Sequence, residues 1–143
     1  MTLSKLPITA ISHLIPQKSP FMMVDTLVAF SNEKIVSSFK ILDSNIFLRD
    51  NLFLESGLIE NMAQTVALHT GYTYFLKGEA PPLGYIGSIK KVDVWELPKL
   101  NETITTEASI LHEFMGVTMV KIRAFNAKNE EIASSEMKTV IVP

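Results

Sequence analysis

The segment LESGLIENMAQTVALHTGYTYFL, Leu54 to Leu76, differs in pattern from everything on either side of it. Leu58, Ile59, Met62, Ala63, Val66 and Ala67 recur at three-to-four spacing, the period of a helix. No Asp, Glu, Lys or Arg lies between Glu60 and Lys77. A helix apolar over most of its circumference is buried on several sides rather than laid on a surface. Gly78 and Pro81-Pro82 supply the stop.

Outward from this helix the chain reads as strand. Leu83 to Trp95, Thr103 to Leu111, Val117 to Phe125 and Ile132 to Val142 follow it, with turn signals at Pro98, at Asn101 and over Asn126 to Asn129. On the N-terminal side, Phe21 to Phe30 and Ile35 to Leu42 read as a hairpin about Ser31-Asn32-Glu33. Ile8 to Ile15, closed off by Pro16 and Pro20, reads as one or two helical turns. The expected class is α+β, a mainly antiparallel sheet wrapped around one hydrophobic helix. No repeat or linker interrupts it, so one domain over residues 1–143 is expected. The edge of so small a sheet needs covering, and dimerisation across it is a common answer.

Composition narrows the function classes. At 143 residues with 47% hydrophobic and 20% charged residues, the chain can bury a core and is not disordered. Thirteen Lys and Arg against fifteen Asp and Glu leave no basic footprint for nucleic acid. The absence of cysteine excludes disulfides, thiolate metal sites and Cys nucleophiles. Met1 to Lys18 has no unbroken apolar run of the signal-peptide kind, and the uncharged stretch Asn61 to Leu76 is too polar and short to span a bilayer. A soluble, cytoplasmic protein without membrane contact is the expectation.

Glu60 is the acid to weigh. It stands alone among Leu58, Ile59, Met62 and Ala63, surroundings that suit a carboxyl group to proton donation, although a helix-start acid facing solvent has the same spacing. Gln64, one turn on, lies on the same face within hydrogen-bonding reach. The three histidines do not complete a dyad by pattern. His69 is nine residues beyond Glu60 and half a turn out of phase at ~100° per residue. His112 sits beside Glu113 near a strand end, and His13 lies in the N-terminal segment. No pair has metal-ligand spacing. Lys90-Lys91, with Lys99 nearby, form the only basic cluster, a solvated strand end or a contact for a phosphate or acidic carrier protein.

Three blocks resemble the β-hydroxyacyl-acyl-carrier-protein dehydratases. Leu14 to Asp25, LIPQKSPFMMVD, resembles the family's opening "LLPHRxPFLLVD". Leu58 to Gln64, LIENMAQ, resembles its helix motif "LxxEAMAQ", and Leu83 to Lys91, LGYIGSIKK, its strand "LYFLAGIDKA". The resemblance implies the hotdog fold, a long central helix wrapped by a curved antiparallel sheet. It also implies a homodimer with acyl tunnels at the subunit interface, or a heterodimer with a paralogue. The substrate would be a 3-hydroxyacyl thioester on acyl carrier protein or coenzyme A in fatty-acid or polyene-type biosynthesis. No cofactor is implied beyond the substrate's own phosphopantetheine.

In that family a histidine takes the α-proton, a helix acid protonates the departing hydroxyl and helix-start amides polarise the carbonyl. Glu60 matches the acid and Gln64 its supporting glutamine. Ile46, Phe47, Phe53 and Gly57 fall at the substrate-binding positions. The histidine of "GHFPxxPxxPG" falls at Ile46, fourteen residues before Glu60; Leu54-Glu55 replaces the Pro-Gly of the helix entry and Gln17 the first-block histidine. Isoleucine has no proton to exchange, and losing the base of such a pair typically costs ~10²–10⁴-fold in rate. Four readings follow: a dehydratase with a substitute base such as His13, the partner of a competent paralogue, a thioesterase using Glu60 alone, or a non-catalytic acyl-binding subunit.

Overall fold

A computed structural model describes residues 6–142; the extreme ends of the expected 1–143 domain lie outside them. The long helix α1 runs from Glu55 to Leu76. Its start has no side-chain cap, and its end follows from Gly78, whose φ of 71° lets the Glu79 N–H return to the Tyr74 carbonyl. Buried positions fall on several faces, Leu58, Met62, Leu68 and Tyr72 among them, as the low charge of the segment requires.

Six strands make the main sheet: β1 (Thr26–Phe30), β2 (Lys34–Lys40), β5 (Leu83–Val94), β6 (Thr103–Phe114), β7 (Val117–Phe125) and β8 (Glu131–Val142). Two short strands, β3 (Leu48–Arg49) and β4 (Leu52–Phe53), form a separate ribbon before α1. Asp50 and Asn51, both at positive φ, turn it. The main sheet is ordered β1-β2-β6-β7-β8-β5 and is antiparallel throughout. Its inner face carries Ile104, Ala108, Val120, Ile122, Ala133 and Met137, all buried against the helix layer.

The N-terminal segment departs from the expected helix. Ile8 instead pairs with Leu27 through two backbone bonds of 2.9 Å, and a single turn closes from Leu14 to Ile11. Ile8 finds its backbone partner on β1, Leu14 packs on α1 at Gly71, and Pro7 and Pro16 bracket the segment, so a local helix cannot compete. The segment is a strap laid over α1. At Gly71 it lies so close that an added Cβ would sit 1.8 Å from the Leu14 carbonyl oxygen.

The first strand also starts later than expected. Phe21 to Met23 are held by side chains of α1, and only at Asp25, whose N–H donates to the Ser38 carbonyl of β2 at 3.2 Å, does strand pairing begin. The Asp25 carboxylate accepts from the Lys40 N–H at 2.8 Å and from the Thr26 hydroxyl, which sets the start of β1 against the end of β2.

Candidate active site

The stretch Phe21 to Met23, which follows the strap, is locked to the helix by buried amides. Gln64 is fully buried, and its Oε1 accepts from the Met23 N–H at 2.7 Å. That bond fixes the orientation of the amide, so Nε2 donates to the Phe21 carbonyl at 2.8 Å and to Glu60 Oε1 at 2.9 Å. Three residues before it, Asn61 donates to the Met23 carbonyl at 2.7 Å and accepts from the Thr106 hydroxyl at 2.6 Å. The Pro-Phe-x-x-Val-Asp block and the Glu-x-Met-Ala-Gln block are therefore two halves of one joint. Asn61 was not singled out by the sequence, although a polar residue at i and i+4 with Thr65 on an apolar helix signals such a network.

Glu60 is half-buried and lines a cavity of about 620 Å³ between the strap, α1, β5 and β8. Its Oε1 is taken by Gln64, while Oε2 has no protein partner among the described residues. A proton on this carboxyl group therefore sits on Oε2, the oxygen free to meet a ligand. Away from Glu60 the lining is largely apolar, with Ala63, Val66, Ala67, Leu83 and Ile86. From Glu60 to Gly71 the cavity follows α1 for ~16 Å at 1.5 Å per residue.

His13 lines the same cavity but at its far end. Its ring meets Phe75 edge-on at 5.1 Å between centroids, beside the Leu14–Gly71 crossing. More than three helical turns separate that point from Glu60, so the two do not form an acid–base pair. His112 is exposed on β6 at a bulge.

His69 lies on another face of α1 and is buried, stacked on Phe30 at 5.0 Å with Nε2 2.8 Å from the Ser31 carbonyl. Burial lowers its pKa below the ordinary histidine value; the backbone bonds to Ser31 and Asn32 and the charge of Glu113 oppose that shift in part.

The remaining positions gather at the helix entry. Ile46 is 45% exposed and outside the cavity lining. Phe47 and Phe53 pack against Gly57, where an added Cβ would lie 2.9 Å from the Phe47 Cβ and 2.5 Å from the Phe53 ring. The Gly57 N–H is turned to the Leu54 carbonyl at 3.0 Å. Within one chain, then, Glu60 and Gln64 meet, while Ile46, Phe47, Phe53 and Gly57 form a separate group.

The basic cluster does not hold together either. Lys91, at a bulge of β5, pairs with Glu136 at 3.0 Å, whereas Lys99 belongs to a bridge with Leu52. Among the described residues no group of His, Asp and Glu could hold a metal ion, and no helix is long and apolar enough to cross a membrane.

A family model described as ApeP-like, ApeP dehydratase, matches residues 9–142. The chain belongs to the ApeP-like dehydratase family. The match spans the strap, the helix and all six strands of the main sheet, so the family's hotdog fold accounts for the observed architecture. Among solved structures, the dehydratase heterocomplex ApeI:P from Xenorhabdus doucetiae is similar with a TM-score of 0.86 at 14% identity, over 98% of this chain and 93% of that one. A hypothetical thioesterase with coenzyme A from Streptococcus pneumoniae TIGR4 follows at 0.67 and 11% identity, over 81% and 84%. The E. coli PaaI protein from the phenylacetic acid degradation operon gives 0.63 and 13%, over 80% of each chain. No curated protein matches the sequence.

Proposed function

We propose that this chain binds acyl thioesters in the Glu60 cavity and supplies the acid of a 3-hydroxyacyl dehydratase whose base comes from a partner subunit. One observation carries the proposal: Glu60 is held by Gln64 with one oxygen free at an apolar cavity, while no histidine of the chain stands near it. In the reaction a partner histidine takes the proton from C2. The C3–O bond breaks as Glu60 Oε2 protonates the departing hydroxyl, and water and a double bond result. The thioester arrives on the phosphopantetheine of acyl carrier protein or coenzyme A.

The partner is a second subunit of the same fold that carries the histidine. A homodimer of this chain would set Ile46 against both acids. The free edge of β5, with Tyr85, Ile89 and Val92 all exposed, supports pairing of subunits. The ApeI:P structure, a dehydratase heterocomplex of closely similar fold, supports a heterodimer over a homodimer.

The test follows double-bond formation and thiol release separately on 3-hydroxyacyl thioesters. The chain alone should release neither product, and co-purification with a histidine-bearing paralogue should yield the enoyl thioester. Ile46→His should create measurable dehydration only where the chain pairs with itself, because Ile46 and Glu60 lie apart within one chain. Thiol release by the chain alone would instead make it a thioesterase using Glu60, a role the coenzyme A-bound thioesterase of similar fold makes reasonable. No turnover in any combination would overturn both enzyme roles.

A further inference from the structure

The cavity that holds Glu60 has a second polar side chain whose hydrogen bonds are not made within the chain. Gln17 follows Pro16 where the strap ends, is half-buried and lines the cavity. Its backbone is placed from both sides. Lys18 Nζ donates to the Ser12 and Ile15 carbonyls, the second at 2.8 Å, and the Phe21 N–H donates to the Lys18 carbonyl at 2.8 Å. Before Gln17 the strap packs at Gly71 through Leu14; after it, the Phe21 carbonyl accepts from the same Gln64 amide that binds Glu60. Gln17 falls between those two anchors in the chain, on the acid's side of His13.

The Gln17 amide is unspent. Its Oε1 is closed off and accepts from no donor, whereas Nε2 is not closed off and donates to none of the described residues. A buried acceptor without a donor is a standing cost to the fold, and a position that keeps one calls for a reason. An open amide N–H₂ only donates, so its complement is a carbonyl oxygen. The hydrocarbon tail of an acyl thioester has none, while its head has the thioester carbonyl and the amides of the pantetheine arm. The chemistry also asks for a donor there, since loss of the C2 proton pushes charge onto the thioester oxygen. At the helix entry the Gly57 and Leu58 N–H groups both go to the Leu54 carbonyl, at 3.0 and 3.1 Å, and are spent within the chain.

We infer that Gln17 is a substrate-binding residue whose Nε2 donates to a carbonyl oxygen in the head of the bound thioester, while Glu60 serves the C3 hydroxyl. That oxygen belongs to the thioester itself or to the adjoining amide of its arm, and not to the tail. This rests on the acyl-thioester role of the Glu60 cavity. The amide is left unpaired in the free chain and is paired by the ligand.

The experiment measures binding of decanoyl-CoA and of its thioether analogue S-decyl-CoA, which lacks the thioester carbonyl. Titration calorimetry is run on the purified chain in the assembly it forms. Gln17→Met keeps an unbranched side chain without a donor, and the unliganded protein should be no less stable, because an orphaned oxygen is removed. Its affinity for decanoyl-CoA should nevertheless fall roughly 3- to 10-fold, the worth of one neutral hydrogen bond. A loss for decanoyl-CoA alone assigns the bond to the thioester carbonyl; an equal loss for both ligands assigns it to the arm. Gln17→Leu, of different shape but equally without a donor, should lose the same factor. Unchanged affinity in the folded variants, or a loss confined to one of the two variants, overturns the inference and leaves the acyl-thioester role standing. A less stable Gln17→Met protein also overturns it, since the amide would then be satisfied within the chain. Failure of the native chain to bind either ligand removes the acyl-thioester role and the inference together.

Discussion

Helix α1 and strand β5 lie on either side of the Glu60 cavity and solve opposite problems. Along α1 polar groups are buried and satisfied: Asn61, Gln64 and Thr65 are each fully buried and each hydrogen-bonded. Along β5 apolar groups are exposed, Leu83 at 53% and Tyr85 at 55%, and one edge of the strand has no partner among the described residues. The first region is satisfied within the chain; the second leaves apolar surface and a strand edge open among the described residues. The residues that hold Glu60 are therefore internal, whereas in the proposed role the group that completes the chemistry comes from a partner.

The largest effect on stability is expected where the internal joint is cut. Gln64→Leu leaves the buried Met23 N–H without a partner and removes the bond to the Phe21 carbonyl, a loss of about 2–3 kcal/mol at ~1–3 kcal/mol for a buried orphaned group. Denaturant unfolding should show it, and the strap should become open to protease. Gly71→Ala comes next: its methyl would collide with the Leu14 carbonyl, costing at the upper end of the ~1–3 kcal/mol typical of overpacking. A strap held loosely would tolerate both substitutions, and the contrast with β5 would disappear.

A smaller effect concerns His69. Its folded pKa is depressed below the unfolded value of 6.5, so folding favours the neutral ring. The stability this gives is present above pH 6.5 and declines as the pH falls from there toward the folded pKa. His69→Phe should flatten that part of the pH–stability profile measured by thermal unfolding. An unchanged slope would show that the ring is not held neutral.

The smallest effect on the fold itself is expected at the open edge. Ile89→Lys on β5 should change the stability of the isolated subunit by less than ~1 kcal/mol, because the side chain is already 41% exposed. It should nevertheless shift the assembly toward monomer in light scattering. Retained assembly would place the contact elsewhere.

The sequence made α1 legible because its signal is periodic and local. Leu58, Met62 and Val66 repeat at helical spacing, and Gly78 marks the stop within two residues of the observed end. Glu60 and Gln64 could be paired for the same reason, one turn apart on one helix. The strap was not legible. Ile8 to Ile15 have a helical pattern of apolar residues, yet Ile8 is paired with Leu27 and Leu14 packs at Gly71, partners distant in the chain. The same non-local character hid the place of His13, which shares a cavity with Glu60 but stands beside Phe75. Alignment with family motifs located Ile46 without saying what it faces, and at 45% exposure outside the Glu60 cavity it meets no reacting group within the chain.

The central claim is that Glu60 is the acid of a site whose base belongs to a partner. It is tested most directly by the rate of enoyl thioester formation in the complex with a histidine-bearing paralogue, comparing the native chain with Glu60→Gln at equal folded content. Glutamine keeps the shape and a hydrogen bond to Gln64 but has no proton to give, so the rate should fall by ~10²–10⁴-fold with the assembly intact. A rate within a few-fold of the native complex would contradict the claim.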